Sequence, residues 1–148
     1  MASVSLPQSV WLLLVLFCSW ACFGCGSADE RKPVFPVRGS VLVAGKPAVK
    51  ALVVFHPLND SGSKTLRPSG EVAADGTFSL STYTTGDGAP SGQYAVTVLW
   101  LAGSSPIGGD AESGEDRLGN RYSDPKTTTL RARVDEGPTE IKPFILQQ

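Results

Sequence analysis

The segment Gly92 to Trp100, GQYAVTVLW, constrains the fold more than any other stretch of the chain. Its large apolar side chains recur at every second position, which places them on one face of an extended strand and would scatter them around a helix. They are Tyr94, Val96, Val98 and Trp100. Sixteen Gly and 11 Pro accompany abundant Val and Thr, a composition that favours short strands joined by turns. We therefore expect an all-β protein.

Six further segments have the pattern of strands. Val37, Val41 and Val43 share one face at period two, and the Asp75-Gly76 pair between two β-prone runs is a hairpin signal. The predicted strands are 37–43, 51–56, 67–73, 77–81, 92–100, 127–134 and 139–146. Without a helix-period segment, they predict an antiparallel β-sandwich of about seven strands.

Two expectations about burial follow from the same patterns. The segment 51–56, ALVVFH, is apolar on both faces, so it should be a central strand. We expect Val54, Phe78, Val96 and Val98 in the core, with Leu80 pointing inward beside Phe78.

The N-terminal region carries an export signal. The run VWLLLVLF, from Val10 to Phe17, is uncharged and shorter than the ~20 residues that cross a bilayer, which is typical of a signal peptide. It is followed by CFGC, in which the small residue Gly24 precedes Cys25. This resembles the bacterial lipobox, whose Cys receives diacylglycerol. We expect 1–24 to be a lipoprotein signal peptide and Cys25 the lipidated residue, after Sec-type export.

Alternatives to this assignment remain open. Cys22 stands where the lipobox usually has Leu, and Cys22 and Cys18 are competing lipidation positions. An ordinary signal peptide and an uncleaved anchor are the others. No Lys or Arg occurs between Met1 and Val10, and a start site farther upstream would account for that.

Residues 25–35 are expected to form the lipidated Cys and a flexible tether, and residues 36–148 the domain. No cysteine follows Cys25, so the domain has no disulfide, thiolate nucleophile or Cys-ligated zinc. Thirteen basic and 14 acidic side chains give a net charge of −1, so nucleic acid is not an expected partner.

Four stretches together resemble bacterial lipoproteins with a carboxypeptidase-regulatory-like, transthyretin-like domain. They are VRGSVLVAGKP, ALVVFHP, ADGTFSLSTYTTGDGAPSGQYAVTV and RYSDPKTTTLRARV, and they cover most of Pro36 to Leu146. The resemblance implies a prealbumin-like sandwich that serves as a non-catalytic accessory or binding module. It implies no particular ligand.

Catalytic signals are weak. His56 is the only histidine, and general-base catalysis needs a partner nucleophile, metal or carboxylate. The transthyretin-like hydrolases use several His and Arg residues and a Tyr-Arg-Gly-Ser ending, whereas this chain ends ILQQ. Ser91, Ser104 and Ser105 lack a nucleophile-elbow context. The Gly-rich stretch from Gly86 to Gly92 precedes a strand rather than a helix, which predicts a turn and no phosphate loop. We expect no enzyme, no cofactor and no metal.

Two binding options remain. Asp110, Glu112, Glu115 and Asp116 could supply calcium ligands in the loop 110–116, although they lack EF-hand spacing and a solvated loop is favoured. Carbohydrate could stack on aromatic rings near strand ends. Those rings are Tyr83, Trp100 and Tyr122.

The expected function is a non-catalytic binding or scaffolding module in the cell envelope. Its partners would be the membrane, through the lipid, and an envelope protein or polysaccharide. A carbohydrate-binding module and a transthyretin-like hydrolase are the alternatives. The segment 102–125 should be the most mobile part of the domain and a candidate partner surface, with Leu118 and Tyr122 pinning its C-terminal end.

Overall fold

The structure, a computed structural model, describes residues 31–59, 65–102 and 114–148. These ranges contain nine strands and no helix, and Lys32–Gln148 form one compact unit. The strands are β1 (Val37–Val43), β2 (Lys46–Pro47), β3 (Leu52–Pro57), β4 (Ser69–Glu71), β5 (Thr77–Ser79), β6 (Gly92–Leu99), β7 (Arg131–Val134), β8 (Thr139–Glu140) and β9 (Phe144–Leu146). Within this part of the chain, no helix has the length and apolar character of a membrane span.

The strands form two sheets packed face to face, so the protein is an all-β sandwich. One sheet is antiparallel, in the order β4-β3-β6-β7. In the other, β1 is the middle strand. Strands β2 and β5 pair antiparallel with one of its edges, and β8 and β9 pair parallel with the other.

The two sides of the sandwich differ. On one side, Ser69 of β4 and Ser81, which lies two residues beyond the end of β5, belong to different sheets but hydrogen-bond to each other through their backbones, in both directions. That contact joins the sheets. On the other side, β7 ends one sheet and β8 with β9 ends the other, and no strand pairing joins these two edges among the described residues. The sandwich is therefore closed on one side and open on the other.

Several predicted strands match closely, and the differences have local causes. β1 has the predicted bounds, and β6 ends one residue earlier than predicted. The predicted turn after Val43 is a two-residue turn in which Ala44 and Gly45 have φ of 49° and 77°, and it returns the chain to pair with β1 as the short strand β2. β7 begins at Arg131 rather than 127, because the Thr128 hydroxyl donates to the carbonyl oxygen of Val96 at 2.8 Å and replaces a backbone ladder bond.

The core lies between the sheets and contains three of the four residues predicted for it. Phe78, Val96 and Val98 are buried, and β3 is an interior strand as expected. The prediction for Val54 was wrong, because it is only half-buried. Its neighbours Val53 and Phe55 face inward, and alternation along β3 turns Val54 to the outer face of the sheet. Leu118 and Tyr122 are buried, which confirms that they attach the end of the 102–125 segment to the sandwich.

Candidate functional site

The open side of the sandwich forms a groove of about 510 Å³ between the two sheet edges. Residues 129–133 line one wall and residues 140–144 line the other. Ile141 and Phe144 are each 8% exposed and belong to the core, so the groove gives access to the apolar interior. Leu130 and Ala132 are partly buried against the same core. The groove therefore has an apolar floor.

Strand β7 forms the wall whose backbone N–H and C=O groups can pair with a further strand. Val96 N–H donates to the carbonyl oxygen of Leu130 at 3.0 Å, so the polar backbone groups of Leu130 point toward β6. In an antiparallel ladder this direction alternates residue by residue. The N–H and C=O groups of Arg131 and Arg133 therefore point away from β6, toward the free edge of the sheet.

The opposite wall is interrupted. Arg38 of β1 pairs with Glu140, and Val41 of β1 pairs with Phe144. The two pairs are three residues apart along β1 but four residues apart along the opposite wall. One extra residue is thus inserted between β8 and β9, which is the arrangement of a β-bulge. Pro143 lies in this insertion and has no N–H to donate. Bulges and prolines block strand pairing at sheet edges, so β7 is the edge of this groove that can accept another strand.

Charge at the groove is mainly positive. Arg131, Arg133 and Lys142 are exposed, and Glu140 is the one acidic residue in its lining. The Nε atom of Arg133 lies 2.8 Å from a carboxylate oxygen of Asp135, in a pair that is 73% and 69% exposed. A pair this exposed contributes at most about 1 kcal/mol, so another carboxylate can compete for the guanidinium.

His56 lies on the outer face of the four-stranded sheet and is not among the residues that line the groove. Its Nε2 atom is 2.9 Å from the Thr97 hydroxyl oxygen. Partial burial, and secondarily the positive charge of Arg67, lower the pKa of His56 below its usual 6.5. The neutral imidazole is therefore favoured at neutral pH.

The Gly-rich stretch from Gly86 to Gly92 is the turn that the sequence predicted. Burial opposes ionisation of Asp87, but the backbone N–H groups of Thr82, Thr84 and Tyr83 donate to its carboxylate and lower its pKa overall. The Asp87 carboxylate thus holds the turn together, and the chain then enters β6 at Gly92. Ser91, within it, is exposed.

Of the predicted acidic loop 110–116, the structure describes residues 114–116, and Asp116 there is not solvated as expected. Asp116 is 7% exposed, and its carboxylate accepts hydrogen bonds from the backbone N–H groups of Trp100, Leu118 and Asn120. These hydrogen bonds offset the cost of burying an acid. In the described ranges, no three His, Cys, Asp or Glu side chains converge as metal ligands.

The rings considered for sugar stacking are engaged within the protein. The Arg117 guanidinium carbon lies 4.9 Å from the centroid of the Trp100 ring, and the indole N–H donates to the Val49 carbonyl oxygen. Tyr122 is buried, and Tyr83 donates to the Lys32 carbonyl oxygen at 3.3 Å.

Other predicted positions lie outside the described residues. These are Cys25 with its alternatives Cys18 and Cys22, Ser104 and Ser105, Asp110 and Glu112, and most of the first half of the 102–125 segment. Comparison with protein-family models, curated proteins and solved structures finds no match to this chain.

Sequence reasoning missed the groove. It placed Arg131 and Arg133 in a strand and Lys142 in another, but it did not bring the two segments together. The alternation of RARV, charged and apolar by turns, was the available signal for a strand with one solvated face. Nothing in that pattern distinguishes an edge strand from an interior one.

Proposed function

We propose that this protein is an exported bacterial lipoprotein, attached to a membrane through Cys25, whose β-sandwich is a non-catalytic binding module of the carboxypeptidase-regulatory-like, transthyretin-like type. The observation that carries the binding role is the groove on the open side, which combines an apolar floor, exposed cations and an edge strand. Concave sites of this kind, with apolar lining and a few polar groups, are the usual places for ligands.

The anchor rests on the order of three sequence features: the apolar run from Val10 to Phe17, the small residue Gly24, and Cys25. Burial of acyl chains contributes about 0.8 kcal/mol per CH₂, and two chains already anchor a protein stably. The tether after Cys25 would then carry the domain away from the bilayer surface.

The anchor is tested by labelling cells with a fatty-acid analogue and separating membranes. The unsubstituted protein should take up label and sediment with membranes, whereas Cys25→Ala should lose the label and be released or stall in processing. Cys22→Ala and Cys18→Ala are the matched controls and should behave as the parent protein. Normal labelling of Cys25→Ala would refute the assignment.

The non-catalytic role has its own test. His56, the only histidine, is held against Thr97 and does not line the groove. Purified protein should therefore bind an envelope component without turning over ester or amide substrates. Turnover that is lost in His56→Ala would replace the proposal with a hydrolase.

A further inference from the structure

We infer that β7 binds an extended acidic segment of a partner protein as an added strand of the four-stranded sheet. This inference rests on the proposed function of a binding module and specifies its partner. Three observations carry it: the direction of the β7 backbone groups, the apolar floor of the groove, and the cations beside it. Strand addition at a free sheet edge obtains affinity from backbone hydrogen bonds and specificity from alternate side chains.

The backbone of β7 defines the hydrogen bonds that the partner would make. The N–H and C=O groups of Arg131 and Arg133 point to the free edge, as the hydrogen bond from the Val96 N–H group to the Leu130 carbonyl oxygen requires. The opposite wall cannot serve in the same way, since it carries the bulge and Pro143. An added strand would therefore pair with β7 and lie over the groove.

The side chains of β7 define the sequence pattern of the partner. Arg131 and Arg133 are on the solvent face of the sheet, whereas Ala132 is on the face toward the groove floor. Side chains of an added strand alternate in the same way. On the solvent face, acidic residues would lie beside the arginines. On the inner face, apolar residues would cover Ile141 and Phe144. The partner segment alternates acidic and apolar residues.

A second copy of this chain is a poorer occupant. If two β7 strands paired, the arginines of one would lie near those of the other, and like charges on neighbouring strands are destabilising. Cations on an edge strand are a known defence against self-pairing. The same cations favour an acidic strand, so charge selects the partner.

The test uses the full processed protein in a non-ionic detergent. The probe is a short fluorescent peptide of alternating valine and glutamate, and its control replaces glutamate with lysine. Fluorescence anisotropy should detect saturable binding of the acidic peptide only, weakening as salt is raised. Hydrogen exchange read by mass spectrometry should show slower exchange in fragments that contain Arg131 and Arg133, because their amide hydrogens become hydrogen-bonded.

Charge-reversal variants locate the site. Arg133→Glu with Lys142→Glu should weaken binding of the acidic peptide by about tenfold or more and favour the lysine peptide. Arg131 is left in place because its guanidinium donates to the Thr128 and Leu130 carbonyl oxygens and supports the start of β7. The matched control is Lys46→Glu, an exposed lysine of β2, which pairs with the edge of β1 opposite to β8 and β9; it should leave binding within about twofold.

Four outcomes would overturn the inference. Binding of neither peptide means that the cations only protect the edge, and concentration-dependent dimerisation with protection at β7 means that the occupant is a second copy. Equal binding of a polyuronate oligosaccharide without amide protection means that the groove takes polysaccharide. An envelope partner that is still bound after charge reversal would remove the β7 assignment while leaving the proposed binding function intact.

Discussion

The hydroxyl of Tyr94 donates a 2.7 Å hydrogen bond to the carbonyl oxygen of Pro90, four residues earlier in the chain. Both residues are buried, and the bond spans the bend at which the chain enters β6. A tyrosine that reaches back to a backbone carbonyl near the start of a strand also stabilises the corners of immunoglobulin-type sandwiches. In this protein it holds the entry to the central strand β6.

Tyr94→Phe should therefore reduce the free energy of unfolding by about 1 to 2 kcal/mol, because it leaves a buried carbonyl without its donor. Tyr122→Phe is the matched control. Its hydroxyl accepts a long, 3.3 Å bond from the backbone of exposed Gln147, which water can replace. Urea unfolding should give a clearly larger loss for Tyr94→Phe, and equal losses would show that the Tyr94 bond has no special role.

Two glycines in one turn allow the cost of an unfavourable backbone conformation to be measured apart from the cost of a steric overlap. Gly86 and Gly88 both have left-handed φ, 74° and 97°, but a Cβ on Gly86 meets nothing within 4 Å. A Cβ on Gly88 would overlap the Phe35 carbonyl group. Gly86→Ala should cost about 1 to 2 kcal/mol for conformation alone. Gly88→Ala should cost about 1 to 3 kcal/mol more, because the backbone must move. Thermal midpoints that are equal, within error, for Gly86→Ala and Gly88→Ala would contradict this.

His56 should make stability depend on pH. Because its pKa is lowered in the folded state, the unfolded chain binds this proton more tightly. Stability is then greatest above about pH 6.5 and falls as the pH drops from there toward the folded-state pKa. His56→Gln keeps a side chain able to hydrogen-bond Thr97 and removes the titration. Its thermal midpoint should change less than that of the parent between pH 7 and pH 5. An NMR titration of His56 with a pKa at or above 6.5 would disprove the assignment.

Two valines test the inward and outward faces of the four-stranded sheet. Val96 is fully buried, whereas Val54 is half-buried on the outer face. Val96→Ala should reduce the free energy of unfolding by about 2 to 3 kcal/mol through lost burial and the cavity left behind. Val54→Ala should cost less than about 1 kcal/mol. Urea unfolding measures both, and a Val54→Ala loss as large as that of Val96→Ala would mean that something covers the outer face.

The sequence by itself determined where the most regular strands run and which of their side chains share a face. Val37, Val41 and Val43 are buried as their spacing required, and so are Tyr94 and Val96. These predictions succeed because alternation depends only on neighbours two residues apart, and the pleat converts that spacing directly into faces.

The structure alone decided what depends on distant partners. Val54 shares an apolar segment with Val53 and Phe55, so composition could not say which of them faces the core. Asp116 is buried because backbone N–H groups from two chain segments meet its carboxylate. Neither relationship is visible in the local pattern.

The candidate site is also a feature that only the tertiary structure decided. Arg133 and Lys142 flank one groove only because β7 is the last strand of one sheet and the segment 140–144 is the edge of the other. Which strand becomes an edge depends on the pairing of β6 with β3 and of β1 with β8 and β9, between residues some 40 to 100 positions apart. A two-residue period carries no information about such pairings, so the groove exists only in the folded chain.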